Sequence, residues 1–123
     1  MEWLIVALGS ALGGVGRYVV SVVMARSLGP QFPFGTLLVN FSGALAIGVY
    51  MGTLAPDTVA VLHPPPLLGL TFGLLGGYTT FSSFSLEALY LLRDERYRAA
   101  TTYVGLSVPL CVGAAGLGWY LTA

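Results

Sequence analysis

Residues 73–87, GLLGGYTTFSSFSLE, set a Gly pair, five Ser/Thr hydroxyls and a carboxylate into an otherwise apolar run. Gly76 and Gly77 are poor helix formers and Thr79 and Thr80 are β-branched. A helix break near residues 76–80 is therefore expected. Such a break exposes carbonyls on one side and N–H groups on the other. Hydrocarbon satisfies neither, so the break must face protein, water or an ion. Freed carbonyls suit a hard cation, and the N-terminal end of the following half-helix suits an anion. The alternative is a Gly-softened continuous helix whose Ser and Thr hydroxyls bond back to its own carbonyls. Phe81 and Phe84, three apart, share a helical face and alternate with Ser82, Ser83 and Ser85. Aromatic rings carry positive edges, so this pair is either ordinary packing or a contact for a small anion that offers it no fixed charge.

Other polar residues sit equally deep in apolar surroundings. Asn40, within GTLLVNFSG at 35–43, offers two N–H donors. It is either an interhelical hydrogen-bonding residue or a donor lining a path. Arg17, within GGVGRY at 13–18, is a charged residue inside an apolar segment and by default marks function. It either snorkels toward the adjacent loop or draws anions to a vestibule. Glu87 is the one acidic side chain well inside an apolar segment, and it pairs with an Arg or a hydroxyl, or carries a proton or ion. Tyr103, Ser107 and Cys111 follow one another at four-residue spacing. They form either a polar track or an interfacial Tyr with a back-bonded Ser.

The elements that must hold these residues are four apolar segments, at about 3–24, 34–54, 67–92 and 99–121, which together make residues 1–123 one integral membrane domain. Charged residues are 8% of the chain, mean hydropathy is +0.84, and a soluble domain carries about 25% charged residues. Each segment approaches the roughly 20 residues that cross a bilayer. The first segment opens without a basic stretch and runs on too far for a secretory signal. The Arg26–Pro33 stretch ends it, Ala55, Pro56 and Asp57 open the second loop, and Arg93-Asp94-Glu95-Arg96 forms the third. Small residues recur inside the segments, including Gly9 and Gly13 four apart, and allow close helix approach in lipid.

Several function classes are excluded. Net charge is zero, so no basic face serves nucleic acid. The lone Cys111 forms no intrachain disulfide, the lone His63 lies beside a Pro run, and no Ser–His–Asp set, metal-ligand cluster or phosphate loop is present. The chain is not expected to be an enzyme.

GGVGRY, GTLLVNFSG and GGYTTFSSFSLE, in that order on the first three segments, closely resemble the Fluc (CrcB) fluoride channels over nearly the whole chain. The resemblance implies four transmembrane helices per chain, the third broken near 76–80, in a dual-topology antiparallel dimer of the cell (inner or plasma) membrane. It implies passive fluoride export that lowers intracellular fluoride and its toxicity. Asn40, Phe81 and Phe84, with Thr80, Ser83, Tyr103 and Ser107, then belong to the fluoride path, and Arg17 and Glu87 to a vestibule or charge role. A structural sodium ion, not itself transported, is implied at the main-chain oxygens of Gly76 and Thr79. Cys111 stands where a hydroxyl continues the track in some relatives, and a thiol is a weaker donor.

Loop charge complicates assembly. Arg26, Arg93, Arg96 and Arg98 fall in the first and third loops, and no Arg or Lys falls on the other side. The positive-inside rule places those loops in the cytoplasm. The partner is therefore either an inverted copy of the same chain or an inverted homologous chain. The rival readings are a small-multidrug-type proton-coupled exporter, although the first segment holds no acid past Glu2, and a non-transporting membrane assembly subunit.

Overall fold

The computed structural model describes residues 1–54 and 64–123. The expected loop opening at Ala55, Pro56 and Asp57, and His63, lie outside the described residues. Among the described residues five helices follow one another: α1 (Glu2–Leu28), α2 (Phe34–Gly52), α3 (Pro65–Tyr78), α4 (Phe81–Arg93) and α5 (Tyr97–Thr122). No strand is present among the described residues. By length and apolarity α1, α2 and α5 are each able to cross a membrane. Helices α3 and α4, of 14 and 13 residues, are each shorter than the roughly 20 residues that a crossing needs.

Helix α1 continues one turn past the expected end near residue 24, because Met24 to Leu28 supply no helix breaker. It stops at Gly29, whose φ of 82° is a conformation that favours glycine. Pro64 and Pro65 open α3, where a missing N–H costs nothing.

The helices pack out of chain order, α1 against α3 and α2 against α5. Glycine sets both seams. A Cβ on Gly9 would lie 2.5 Å from the Leu70 carbonyl oxygen, and one on Gly73 would lie 2.5 Å from that of Val6. Gly13 meets the backbone of Leu74 and Tyr78, and Gly77 that of Ser10. Gly9/Gly13 and Gly73/Gly77 thus interlock as two small-residue pairs, and contacts that advance together along both chains make α1 and α3 parallel. On the second seam Gly48 meets Ala115, Gly52 meets Trp119 and Thr122, and Gly118 meets Leu45 and Val49. Close backbone approach of this kind gives packing energy where lipid supplies no hydrophobic drive.

Large apolar side chains cover most of the outside, from Trp3 and Leu4 on α1 to Trp119 and Leu121 on α5. Fully buried side chains are few, and Val39 and Tyr103 are the largest. Tyr103 packs with Leu91 and Ala100, with Phe32, Leu37 and Phe84 around it. At one end of the bundle the Arg96 guanidinium donates to the Gln31 carbonyl, joining the α1–α2 loop to the α4–α5 loop.

Candidate functional site

The site is built around two residues between helices. Thr79 (φ −75°, ψ 157°) and Thr80 (φ −153°, ψ 118°) are extended and separate α3 from α4. At the α3 end, the Thr79 N–H and hydroxyl both donate to the Leu75 carbonyl, at 3.0 and 2.9 Å. At the α4 end, the Thr80 hydroxyl accepts from the Ser83 N–H at 3.1 Å, a helix N-cap. It also lies 3.2 Å from the Ser82 hydroxyl.

Asn40 reaches this junction from α2. Its Nδ2 donates to the Thr80 carbonyl at 2.9 Å, and its Oδ1 accepts from the Thr80 N–H at 2.8 Å. Two donors that helix geometry assigns elsewhere are thereby diverted. The N–H four residues after Gly76 is that of Thr80 and goes to Asn40. The N–H four residues after Thr79 is that of Ser83 and goes to the Thr80 hydroxyl. The Gly76 and Thr79 carbonyls lose their helical donors by this rearrangement.

A cavity of about 660 Å³ lies beside the junction. Asn40, Gly76, Thr79, Thr80, Phe81, Phe84, Ser107 and Cys111 all line it, with apolar residues such as Ile47, Leu75 and Val108 between them. The Phe81 and Phe84 ring centroids are 5.8 Å apart. Phe84 is half-buried, whereas Phe81 is 80% exposed. Ser107 is 5% exposed, and its hydroxyl has no hydrogen-bond partner. A buried polar atom without a partner costs about 1–3 kcal/mol.

Glu87, three residues after Phe84 on α4, does not line this cavity. Its carboxylate accepts one hydroxyl from Thr36 on α2 and one from Tyr103 on α5, each at 2.9 Å. Thr36 and Tyr103 are both buried. The Tyr103 ring in turn meets Phe84 at a centroid distance of 5.2 Å and Phe32, edge-on, at 5.6 Å. Glu87 and Thr36 also line a second cavity, of about 690 Å³, which opens among Gln31, Arg93, Asp94 and Arg96. Thr36, Glu87 and Tyr103 thus form a short hydrogen-bonded file from the cavity at the Arg-rich end to α5; Tyr103 itself lines neither cavity, and Ser107, four residues further along α5, lines the other.

Not every expected residue joins this file. Arg17 is half-buried on α1 and lines neither cavity. Ser83 enters through its backbone N–H and does not line the cavity. Among the described residues no group of His, Cys, Asp and Glu is arranged to hold a metal. Sequence reasoning passed over Thr36, whose role is visible only once α2 meets α4. It also passed over the pair formed by Ser42 and Tyr78, whose hydroxyls are 3.0 Å apart and tie α2 to the end of α3. Both lie inside motifs already singled out, but nothing in the one-dimensional pattern pairs them.

Fold and site together define an all-helical membrane protein whose polar groups gather around one cavity and one carboxylate in an apolar bundle. The family model described as CrcB-like protein, Camphor Resistance (CrcB), matches residues 4–119. The chain belongs to that CrcB family. It is 43% identical to a protein of Nitrobacter hamburgensis named fluoride-specific ion channel FluC 1, over 93% of this chain and 91% of the relative. A fluoride-specific ion channel FluC of Nitrobacter winogradskyi is 44% identical over the same shares. One from Coxiella burnetii is 43% identical over 96% of this chain and 94% of the relative. Membership makes the chain a transport protein and not an enzyme.

Proposed function

We propose that this protein is a fluoride-selective channel that passively exports fluoride from the cytoplasm and so lowers its internal concentration. The observation that carries the reading is the buried, partnerless Ser107 hydroxyl in the cavity that Asn40, Thr80, Phe81 and Phe84 also line. That set supplies neutral donors and ring edges and no full positive charge. Fluoride is small and holds its water tightly, so a path for it must replace that water donor by donor. Ser107 donates its hydroxyl, Asn40 the N–H that Thr80 leaves free, and Phe84 a ring edge. Neutral ligands bind a permeant ion loosely enough to release it, and size excludes larger halides. The relatives' names support the ion, and the depth of the polar file in an apolar bundle supports a channel.

In this reading α3 and α4 form one membrane span interrupted at Thr79–Thr80, giving four spans in the cell's inner or plasma membrane. The Gly76 and Thr79 main-chain oxygens hold a structural sodium ion that is not transported. Three features support sodium there. The donors of both carbonyls are diverted, both residues line the cavity, and a side chain at Gly76 would meet nothing within 4 Å. Hard monovalent cations take such oxygens, and bound sodium would stiffen the junction. One chain offers too few ligands, and lipid satisfies no carbonyl. A second, inverted chain placed against the exposed Gly76 and Phe81 completes the shell in an antiparallel homodimer. An inverted homologue takes that place if the Arg-bearing loops fix one orientation. Arg17 and the Arg-lined mouth near Glu87 draw the anion in.

The test is efflux from sealed vesicles read with a fluoride electrode. Ser107→Ala and Phe84→Ile are expected to lower fluoride efflux by roughly tenfold or more, the size of one lost hydrogen bond at a rate-limiting barrier. Efflux unchanged in both overturns the assignment of the cavity as the path.

A further inference from the structure

We infer that Asn40 is a positioning residue, a side-chain substitute for the peptide partner that Thr80 lacks, and that it creates the α3–α4 junction. The part of this that concerns halide conduction rests on the function proposed above. Thr80 is buried, at 7% exposure, and its backbone lies outside both helices. A buried backbone N–H and carbonyl must each find a partner. One amide side chain from α2 answers both, at 2.8 and 2.9 Å, as a neighbouring strand does in a β ladder. No Ser, Thr, Leu or ionised Asp at position 40 offers a donor and an acceptor in that planar arrangement.

Three consequences follow from the same two bonds. First, the Thr80 N–H is held away from the Gly76 carbonyl, so the two helices do not rejoin. Second, Thr80 stays extended, with its hydroxyl free to cap Ser83, which fixes where α4 begins. Third, that starting point fixes the faces on which Phe81 and Phe84 emerge and the cavity they line. Without Asn40, the Thr80 N–H can return to Gly76 and continue the helix. This reclaims the carbonyl and turns both rings. Asn40 therefore governs the cavity through Thr80, with its side-chain oxygen and one of its two N–H bonds already committed.

Two measurements on the full chain decide the matter. The first replaces the Thr80 backbone amide by an ester, which deletes the N–H that Asn40 accepts and leaves the Asn40 side chain intact. Fluoride efflux from vesicles is compared for the native chain, the Thr80 ester, Asn40→Leu and the two changes combined. The ester and Asn40→Leu are each expected to lower efflux by roughly tenfold or more, and the combination is expected to be no worse than the poorer single change. An ester chain that conducts like the native one, beside an inactive Asn40→Leu, overturns the inference and makes Asn40 a direct ligand only. The second needs no fluoride: nitroxide labels at Leu70→Cys on α3 and Leu89→Cys on α4, in a Cys111→Ala background, report the distance across the junction. Asn40→Leu, where it folds, is expected to shift that distance as the helices rejoin, and the Thr80 ester, which has no N–H to return to Gly76 and keeps only one bond to Asn40, is expected to broaden it. An unchanged distance overturns the inference. Native vesicles that fail to pass fluoride sink the proposed function, while the label distance still decides the role of Asn40.

Discussion

Two hydroxyl donors converge on Glu87, and each comes from a different helix. Thr36 and Tyr103 are buried, so their O–H groups have few other acceptors, and among the described residues no cationic side chain pairs with the Glu87 carboxyl. Removing one partner of a buried hydrogen bond costs about 1–3 kcal/mol. Tyr103→Phe is therefore expected to lower stability by about 2 kcal/mol, with the ring still filling its site. Thr36→Val is expected to cost a similar amount. A double-mutant cycle should show that the two losses are not additive, by about 0.5 kcal/mol or more, because both donors serve one carboxylate. Equilibrium unfolding in detergent micelles measures all three. Asn40, Glu87, Tyr103 and Ser107 are conspicuous in the sequence because each is polar inside an apolar run. Their partners are harder to find. Thr36 is an ordinary residue near the start of a helix, and only the meeting of α2, α4 and α5 gives it a carboxylate to bind. Arg17 is just as conspicuous, yet in the single chain it stands apart from the polar file.

The helices are held by what is missing from their surfaces. Gly13 has its missing Cβ directed at the Leu74 carbonyl and 2.7 Å from the Tyr78 nitrogen, both of them backbone atoms that no rotamer change can move aside. Gly14, its neighbour, faces open space. Gly13→Ala is accordingly expected to destabilise the α1–α3 pair by about 1–3 kcal/mol, whereas Gly14→Ala is expected to be neutral or stabilising by up to about 1 kcal/mol. The same unfolding measurement checks the pair, and equal effects at the two positions would remove the seam as the basis of packing. The spacing of Gly9 and Gly13 marks a close-packing face, and the hydropathy pattern marks apolar helices. Neither tells which helix answers which. That α1 packs more extensively on α3 than on its chain neighbour α2 depends on Gly73 and Gly77 presenting a matching groove, a property of two surfaces at once. Likewise, Gly76, Gly77 and the Thr pair locate a weak point in the chain, but the partner of the extended Thr80 backbone is Asn40, 40 residues earlier.

At the scale of the whole molecule, charge and polarity pull in different directions. The α1–α2 and α4–α5 loops meet through Arg96 and Gln31, gathering Arg93 and Arg96 at one mouth. A chain so biased is expected to favour one orientation in a bilayer. In the proposed reading, diverted carbonyls beside an exposed Gly76 are completed by a second chain. In the proposed homodimer, a cysteine introduced in the α4–α5 loop is labelled by a membrane-impermeant thiol reagent from both faces in equal amounts. Labelling from one face alone assigns the second place to an inverted homologous chain. Selectivity is the property on which the proposed function stands, and a direct comparison of halides reads it. The purified chain, supplied with an inverted homologue if orientation demands one, is sealed into sodium-containing vesicles, and fluoride and chloride efflux are recorded under the same potassium gradient. Neutral donors along the proposed path predict rapid loss of fluoride with chloride retained; chloride leaving as fast as fluoride, or fluoride retained, contradicts them.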